Sequence, residues 1–175
     1  MNCQGLGDFQ KRRDVFHYLR EKKHNIYFLQ DTHLDPKLDN FYRAEWGFTS
    51  IYNSYNTNSR GVAILFNNNF EFKIKNIYRE KEGNLLMVHM YSMNLDILLV
   101  NVYGPNRDNP DFYADINERL KQLKIPNIIA DGDWNLVLDP TLDYFNYKHV
   151  HNIRARGKVE ELIEDNSLID IWREL

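Results

Sequence analysis

Apolar positions in this chain follow two alternating periods. Val15, Phe16 and Leu19 recur at helical spacing behind Asp8, which predicts a capped helix over 10–22. Phe112, Ile116, Leu120 and Leu123 repeat the pattern after Asn109-Pro110, a cap and first-turn pair, and Pro126 stops that helix near 124. Val159, Leu162 and Ile163 predict a last helix over 158–165. Between these lie short apolar runs bounded by turn residues, which read as buried strands: Ile26-Tyr-Phe-Leu-Gln30, Arg60-Gly-Val-Ala-Ile-Leu-Phe66 and Ile128-Ile-Ala130. Phe70 to Ile77 alternates with the period of a half-buried strand. Runs at 85–91 and 95–103 follow, and turns at 67–69, 82–84 and 92–94 make 60–103 an antiparallel run of adjacent strands. The polar stretch 32–58 reads as surface loop with a short helix. Interleaved helices and strands imply an α/β or α+β fold with two sheets.

Four polar positions follow or border these strands. Asn2 opens the chain, Asp31 ends the run at 26–30, Tyr103 ends the run at 97–102, and Asp133 follows 127–130 and opens Asp133-Trp-Asn135. If the strands lie side by side, their polar ends meet at one edge of a sheet. Carboxylates, amides and a phenol gathered there form a hard, oxygen-rich site suited to Mg²⁺ and a phosphate ester.

The length of 175 residues suggests one domain, large enough to bury about 70% of its unfolded surface. Hydrophobic residues at 43% and charged residues at 27% exclude a disordered chain. A net charge of −3 lacks the basic signature of a compact DNA-binding module, but a phosphodiesterase does not need it, because a bound metal supplies positive charge at the site. Lys11-Arg-Arg13, Lys22-Lys23 and 154–158 read as solvated helix faces or, alternatively, phosphate contacts. A single cysteine, Cys3, excludes an internal disulfide and fits a reducing compartment. No signal peptide and no apolar run near the length of a membrane span is visible, so the expectation is a soluble, intracellular protein without membrane contact.

Six motifs occur in order: Asn2-Cys-Gln-Gly-Leu6, Leu29-Gln-Asp-Thr-His33, Arg60-Gly-Val-Ala63, Asn101-Val-Tyr-Gly-Pro-Asn106, Gly132-Asp-Trp-Asn135 and Asp170-Ile-Trp-Arg173. Together they resemble the endonuclease/exonuclease/phosphatase family, and within it the apurinic-type endonuclease domain of non-LTR (LINE-type) retrotransposons. The resemblance implies a four-layer α/β sandwich of two mixed sheets with outer helices. It implies Mg²⁺-dependent (or Mn²⁺-dependent) hydrolysis of a DNA phosphodiester, nicking one strand to leave a 3′-hydroxyl. DNA is the implied partner, with a reverse transcriptase downstream in a longer polyprotein and a nuclear location.

By the same resemblance, Asn2 and Asp31 hold the metal, Tyr103 stabilises charge on the scissile phosphate, and Asp133 orients and deprotonates the attacking water. Asn135 holds phosphate or water, while Asn106 and Arg60 contact phosphate or DNA. Each has a plainer reading: Asn2 and Asn106 as turn residues, Asp31 as a strand-end cap, Tyr103 as one aromatic among eleven tyrosines, Asp133 as part of an Asp-Gly-Asp turn, Arg60 as a structural residue. His33 is expected to pack or hydrogen-bond near the site, Trp172 to lie in the core, and Gly5 and Gly61 to serve backbone geometry.

The chain departs from the family pattern in three places. Asp31 stands where the family has Glu, one methylene and about 1.5 Å shorter. Octahedral Mg²⁺ demands distances of about 2.0–2.1 Å, so either a water bridges the gap or metal affinity falls. The chain opens at the family's first motif, and it lacks the last two, an Asp on a late strand and a Ser-Asp-His triplet with the family's catalytic His. It therefore reads as a single domain over 1–175, incomplete at both ends and lacking the last strands, with low expected activity on its own. Two alternatives stand beside the nuclease: a non-catalytic remnant or binding module of the same fold, and a phosphoinositide, sphingomyelin or nucleotide phosphodiesterase. Tyr103-Gly-Pro-Asn106 and the 29–33 motif argue against the last.

Overall fold

In the computed structural model, which describes residues 1–139 and 152–171, the chain forms two compact units. The first comprises Met1–Tyr103 with Asn127–Asp133, the second Gly104–Pro126 with Trp134–Leu175.

The first unit begins with α1, Phe9–Lys22, capped as expected by the Asp8 side chain, which accepts from the Lys11 amide at 2.7 Å. Strand β1, Ile26–Gln30, follows, then a 3₁₀ turn at Pro36–Leu38 and α2, Asp39–Trp46. Strands β2, Ser50–Asn53, and β3, Val62–Phe66, complete an antiparallel three-stranded sheet in the order β1-β3-β2. A parallel bridge from Asn2 to Gln30 makes this sheet mixed. The second sheet runs β4-β5-β6-β7: β4 is Lys73–Arg79, β5 Leu85–Ser92, β6 Leu95–Tyr103 and β7 Asn127–Asp133. Its first three strands are antiparallel, and β7 joins β6 in parallel.

Strand β3 shows why the apolar run is continuous there. Ala63 and Leu65 pack under Phe16 and Leu19 of α1 and Tyr42 and Trp46 of α2. Val62, Ile64 and Phe66 face the second sheet and meet Leu86, Val88, Met90, Ile97 and Leu99. A strand buried on both faces loses the alternation that marks a half-buried one.

The structure corrects several element readings. The stretch 32–58 contains a strand, β2, whose polar ends disguised it and whose four residues are all buried against β3. The turn at 67–69 does not join a hairpin. β3 already has partners on both edges, so the chain crosses to the other sheet, where Phe66 and Phe72 stack at 4.2 Å. β4 starts later than the alternation suggested and carries a bulge between Ile74 and Asn76. β7 is longer than expected and none of its seven residues is buried; Asp131, Gly132 and Asp133 are strand residues rather than a turn. Arg12, read as part of a solvated face, is buried against Glu45.

In the second unit, α3, Pro110–Leu123, buries Tyr113, Ile116, Asn117 and Leu120, and α4, Ile153–Asp165, buries Ala155, Val159 and Leu162. Pro110 occupies the first turn as expected, but the Asn109 side chain makes no capping hydrogen bond. α4 starts five residues earlier than its apolar pattern, where the Asp108 carboxylate accepts from the Ala155 amide at 2.8 Å and pairs with Arg154 at 3.1 Å. These contacts hold the Asp108 carboxyl below the usual range, the Ala155 amide contributing most. Asn117 and Lys121 of α3 both reach Asp165, at 2.7 and 2.8 Å. Among the described residues, no helix is long and apolar enough to cross a membrane. Trp172, Arg173, His149 and His151 lie outside the described residues.

Candidate active site

Strands β1, β6 and β7 end together. Tyr103, last of β6, pairs in register with Asp133, last of β7. Gln30, last of β1, pairs with Val62 on one side and bridges Asn2 on the other. Asn2, Asp31, Arg60, Tyr103 and Asp133 are thereby gathered at one end of the first unit.

Direct contacts tie them. The Asn2 side-chain amide donates to the Asp133 carboxylate at 2.8 Å, and its own oxygen accepts from the Gln4 amide at 3.0 Å. The Tyr103 phenol stands beside the Asp31 carboxylate. Burial, then the neighbouring Asp31 carboxylate, and then the Asp133 charge push the Tyr103 phenol up to about 12, against the opposing charge of Arg60. His33 Nε2 lies 2.7 Å from Asp31 Oδ1, so the histidine does hydrogen-bond at the site.

The backbone here is strained. Asp31, His33 and Arg60 all have left-handed conformations, with φ of 55°, 50° and 62°. Non-glycine residues adopt that region only where their surroundings over-determine it. The Thr32 and His33 amides donate to the Gly61 and Arg60 carbonyls at 3.0 and 2.8 Å, and the Leu6 and Gly5 amides donate to Thr32 and Asp31 at 2.7 and 2.8 Å. Gly61 is required: its φ is +93°, and a Cβ would sit 2.5 Å from Thr32 Oγ1. Gly132 is required for another reason, since a Cβ there would strike the Val102 carbonyl on the paired strand.

The Arg60 guanidinium pairs with Glu82 at 2.6 Å and stacks over Tyr55 at 4.9 Å. Asn135 and Asn106 belong to the second unit. Asn135, with φ of 49°, donates its amide to the Gly104 carbonyl at 2.7 Å, bracing the turn that follows Tyr103; Asn106 is exposed in that turn. Beneath the site lie two residues that the motif reading passed over, Gln30 and Asn101, 1% and 0% exposed and joined at 2.7 Å. The signal was present: Asn101 is the one polar side chain inside the apolar run 97–102.

The fold these elements form has been solved in other proteins. AP endonuclease LMAP from Leishmania major superposes with a TM-score of 0.80 at 16% identity, covering 99% of this chain and 67% of that one. An AP endonuclease from Archaeoglobus fulgidus gives 0.75 at 17% identity, covering 98% and 72%. The chain has the AP endonuclease fold. The 3′-5′ exonuclease NExo from Neisseria meningitidis shares that fold as well, at 0.67 and 17% identity, covering 94% of this chain and 69% of that one. The two sheets with flanking helices thus match the expected α/β class, and the resemblance to the endonuclease/exonuclease/phosphatase family holds at the level of fold. In sequence, the chain is 26% identical over 179 residues to an uncharacterized 149 kDa protein of transposon TX1 from Xenopus laevis. That alignment covers 99% of this chain and 13% of the transposon protein. No protein-family profile matches the chain.

Proposed function

We propose that these 175 residues form a DNA-nicking endonuclease domain of the non-LTR retrotransposon type, acting with Mg²⁺ or Mn²⁺. The observation that carries the reading is the convergence of Asn2, Asp31, Tyr103 and Asp133 at the shared ends of β1, β6 and β7. The likeness to the transposon TX1 protein over nearly the whole chain supports it. A reverse transcriptase in the same polyprotein, and action in the nucleus, belong to the same proposal.

The donor set fits the metal. Asn2 and Asp31 offer hard oxygen ligands, and Mg²⁺ is commonly held by one or two carboxylates, with waters and substrate phosphate completing its shell. Among the described residues no group of three or more His, Cys, Asp or Glu is arranged to hold a metal by itself. When bound, the ion supplies positive charge beside the phosphate.

The chain's own residues then have separable tasks. Asp133 orients a water in line with the scissile bond and accepts its proton on the carboxylate. The Asn2 amide fixes the direction of that carboxylate. The water oxygen bonds to phosphorus as the bond to the 3′-oxygen breaks, and the 3′-oxygen leaves with a proton from solvent. Tyr103, protonated at physiological pH, donates its hydroxyl to a phosphate oxygen as charge develops. Arg60 contacts the DNA backbone.

A supercoiled-plasmid assay over a Mg²⁺ titration, wild type beside Asp133→Ala, tests this. Nicking is expected to require Mg²⁺ and to disappear in the variant. Equal signals from the two proteins would overturn the proposal. One observation favours a second reading, a non-catalytic module of the same fold: the short Asp31 side chain is already engaged by His33.

A further inference from the structure

Asn101 lies at the interface of the two sheets, where a polar side chain is costly unless every group is bonded. Its amide nitrogen donates to the Leu29 carbonyl at 3.0 Å and to the Ala63 carbonyl at 2.8 Å. Leu29 and Ala63 are register partners on β1 and β3, and both turn their side chains away, into the core beneath α1 and α2. One amide therefore bridges the exposed backbone of two neighbouring strands. Its oxygen accepts from Gln30 Nε2 at 2.7 Å, so three hydrogen bonds clamp β6 to the first sheet at a single register.

The clamp sits directly below the candidate site. Gln30 immediately precedes Asp31, and Asn101 precedes Tyr103 by two residues, which puts both side chains on one face of β6. Tyr103 packs on the same inter-sheet core as Ile97 and Leu99. A slip of β6 by one residue would turn all of these to the other face. Apolar packing between the sheets tolerates small shifts; two amides with directional bonds fix the position within that tolerance.

We infer that Asn101, with Gln30, is a positioning residue: from the buried layer between the sheets it sets where the Tyr103 hydroxyl stands relative to Asp31. The consequence for catalysis rests on the nuclease reading; the geometric claim does not.

The test is fluorine NMR of the 175-residue chain carrying 3-fluorotyrosine at position 103. Asp31→Asn, which alters the phenol's neighbour directly, provides the reference shift. Asn101→Leu, similar in size but without donors, is expected to stay folded by circular dichroism and to move the Tyr103 resonance at least halfway to that reference, or to broaden it. A folded Asn101→Leu protein whose resonance stays at the wild-type position would overturn the inference. If that variant does not fold, Gln30→Leu/Asn101→Leu replaces the whole polar pair by apolar groups and the same comparison applies. In the plasmid assay, Asn101→Leu is expected to lower kcat tenfold or more with the KM for DNA unchanged, since misplacement of about 1 Å can reduce rate about 100-fold. Absence of nicking in the wild type would count against the nuclease reading alone, leaving the fluorine result to decide the inference.

Discussion

Tyr103 shows how one side chain takes its chemistry from its neighbours. Burial and the Asp31 carboxylate hold its phenol at about 12, so it is a donor rather than a phenolate across the working range. Whatever stability this shift contributes is present below pH 10, the ordinary phenol value, and is lost as pH rises toward 12. Tyr103→Phe is expected to lower nicking by about 100- to 1000-fold, the usual effect of removing one transition-state donor. The ratio to wild type should stay constant from pH 7 to 10; a pH-rate profile of both proteins checks this. Cys3 is the opposite case, a residue made inert. It is 7% exposed, and burial pushes its thiol up to about 11. Iodoacetamide at pH 8 should leave the native protein unlabelled and label it fully in denaturant, as read by mass spectrometry.

Among the elements, α1 depends most on a charge its sequence seemed to place outside. Arg12 bonds Glu45 of α2 twice, at 2.5 and 3.3 Å, and donates to the Leu6 and Gly7 carbonyls at 2.8 and 3.1 Å. Its guanidinium also lies 5.0 Å from the Tyr42 ring centre. Arg12→Ala would leave Glu45 and two carbonyls without this partner, and is expected to destabilise the chain by about 3–5 kcal/mol in urea unfolding. Arg12→Lys should recover little, because a single ammonium cannot reproduce the fork. Nothing in Lys11-Arg12-Arg13 separates the buried charge from its neighbours; only the docking of α2 does. The other elements divide the same way. β1 and β6 were legible to the residue because apolar runs with sharp polar ends admit one reading. β2 was not, since four residues with Ser and Asn at the ends carry no period, and the hairpin at 67–69 failed because strand partners are chosen by edges still free, a non-local property.

At the scale of the molecule, the two compact units are interleaved along the chain, β7 returning to the first after α3. Among the described residues β7 ends its sheet and pairs with β6 alone, and Ile129 is 47% exposed. An edge strand with an exposed branched apolar side chain favours association between chains. Ile129→Lys is expected to leave the fold intact and to shift sedimentation toward monomer at concentrations where the parent chain associates; equal sedimentation would refute it.

The amino-acid sequence by itself determined the class of fold, the positions of most helices and strands, and the list of polar residues at strand ends, because these follow from local periodicity and local turn chemistry. It carried Asn2, Asp31, Tyr103 and Asp133 as candidates but not their connections. Only the tertiary structure decided that Asn2 aligns Asp133, that His33 bonds Asp31, that Arg12 is buried, and that Asn101 clamps the two sheets. Each of those joins residues far apart in the chain, and a hydrogen bond between distant residues leaves no trace in the spacing of either.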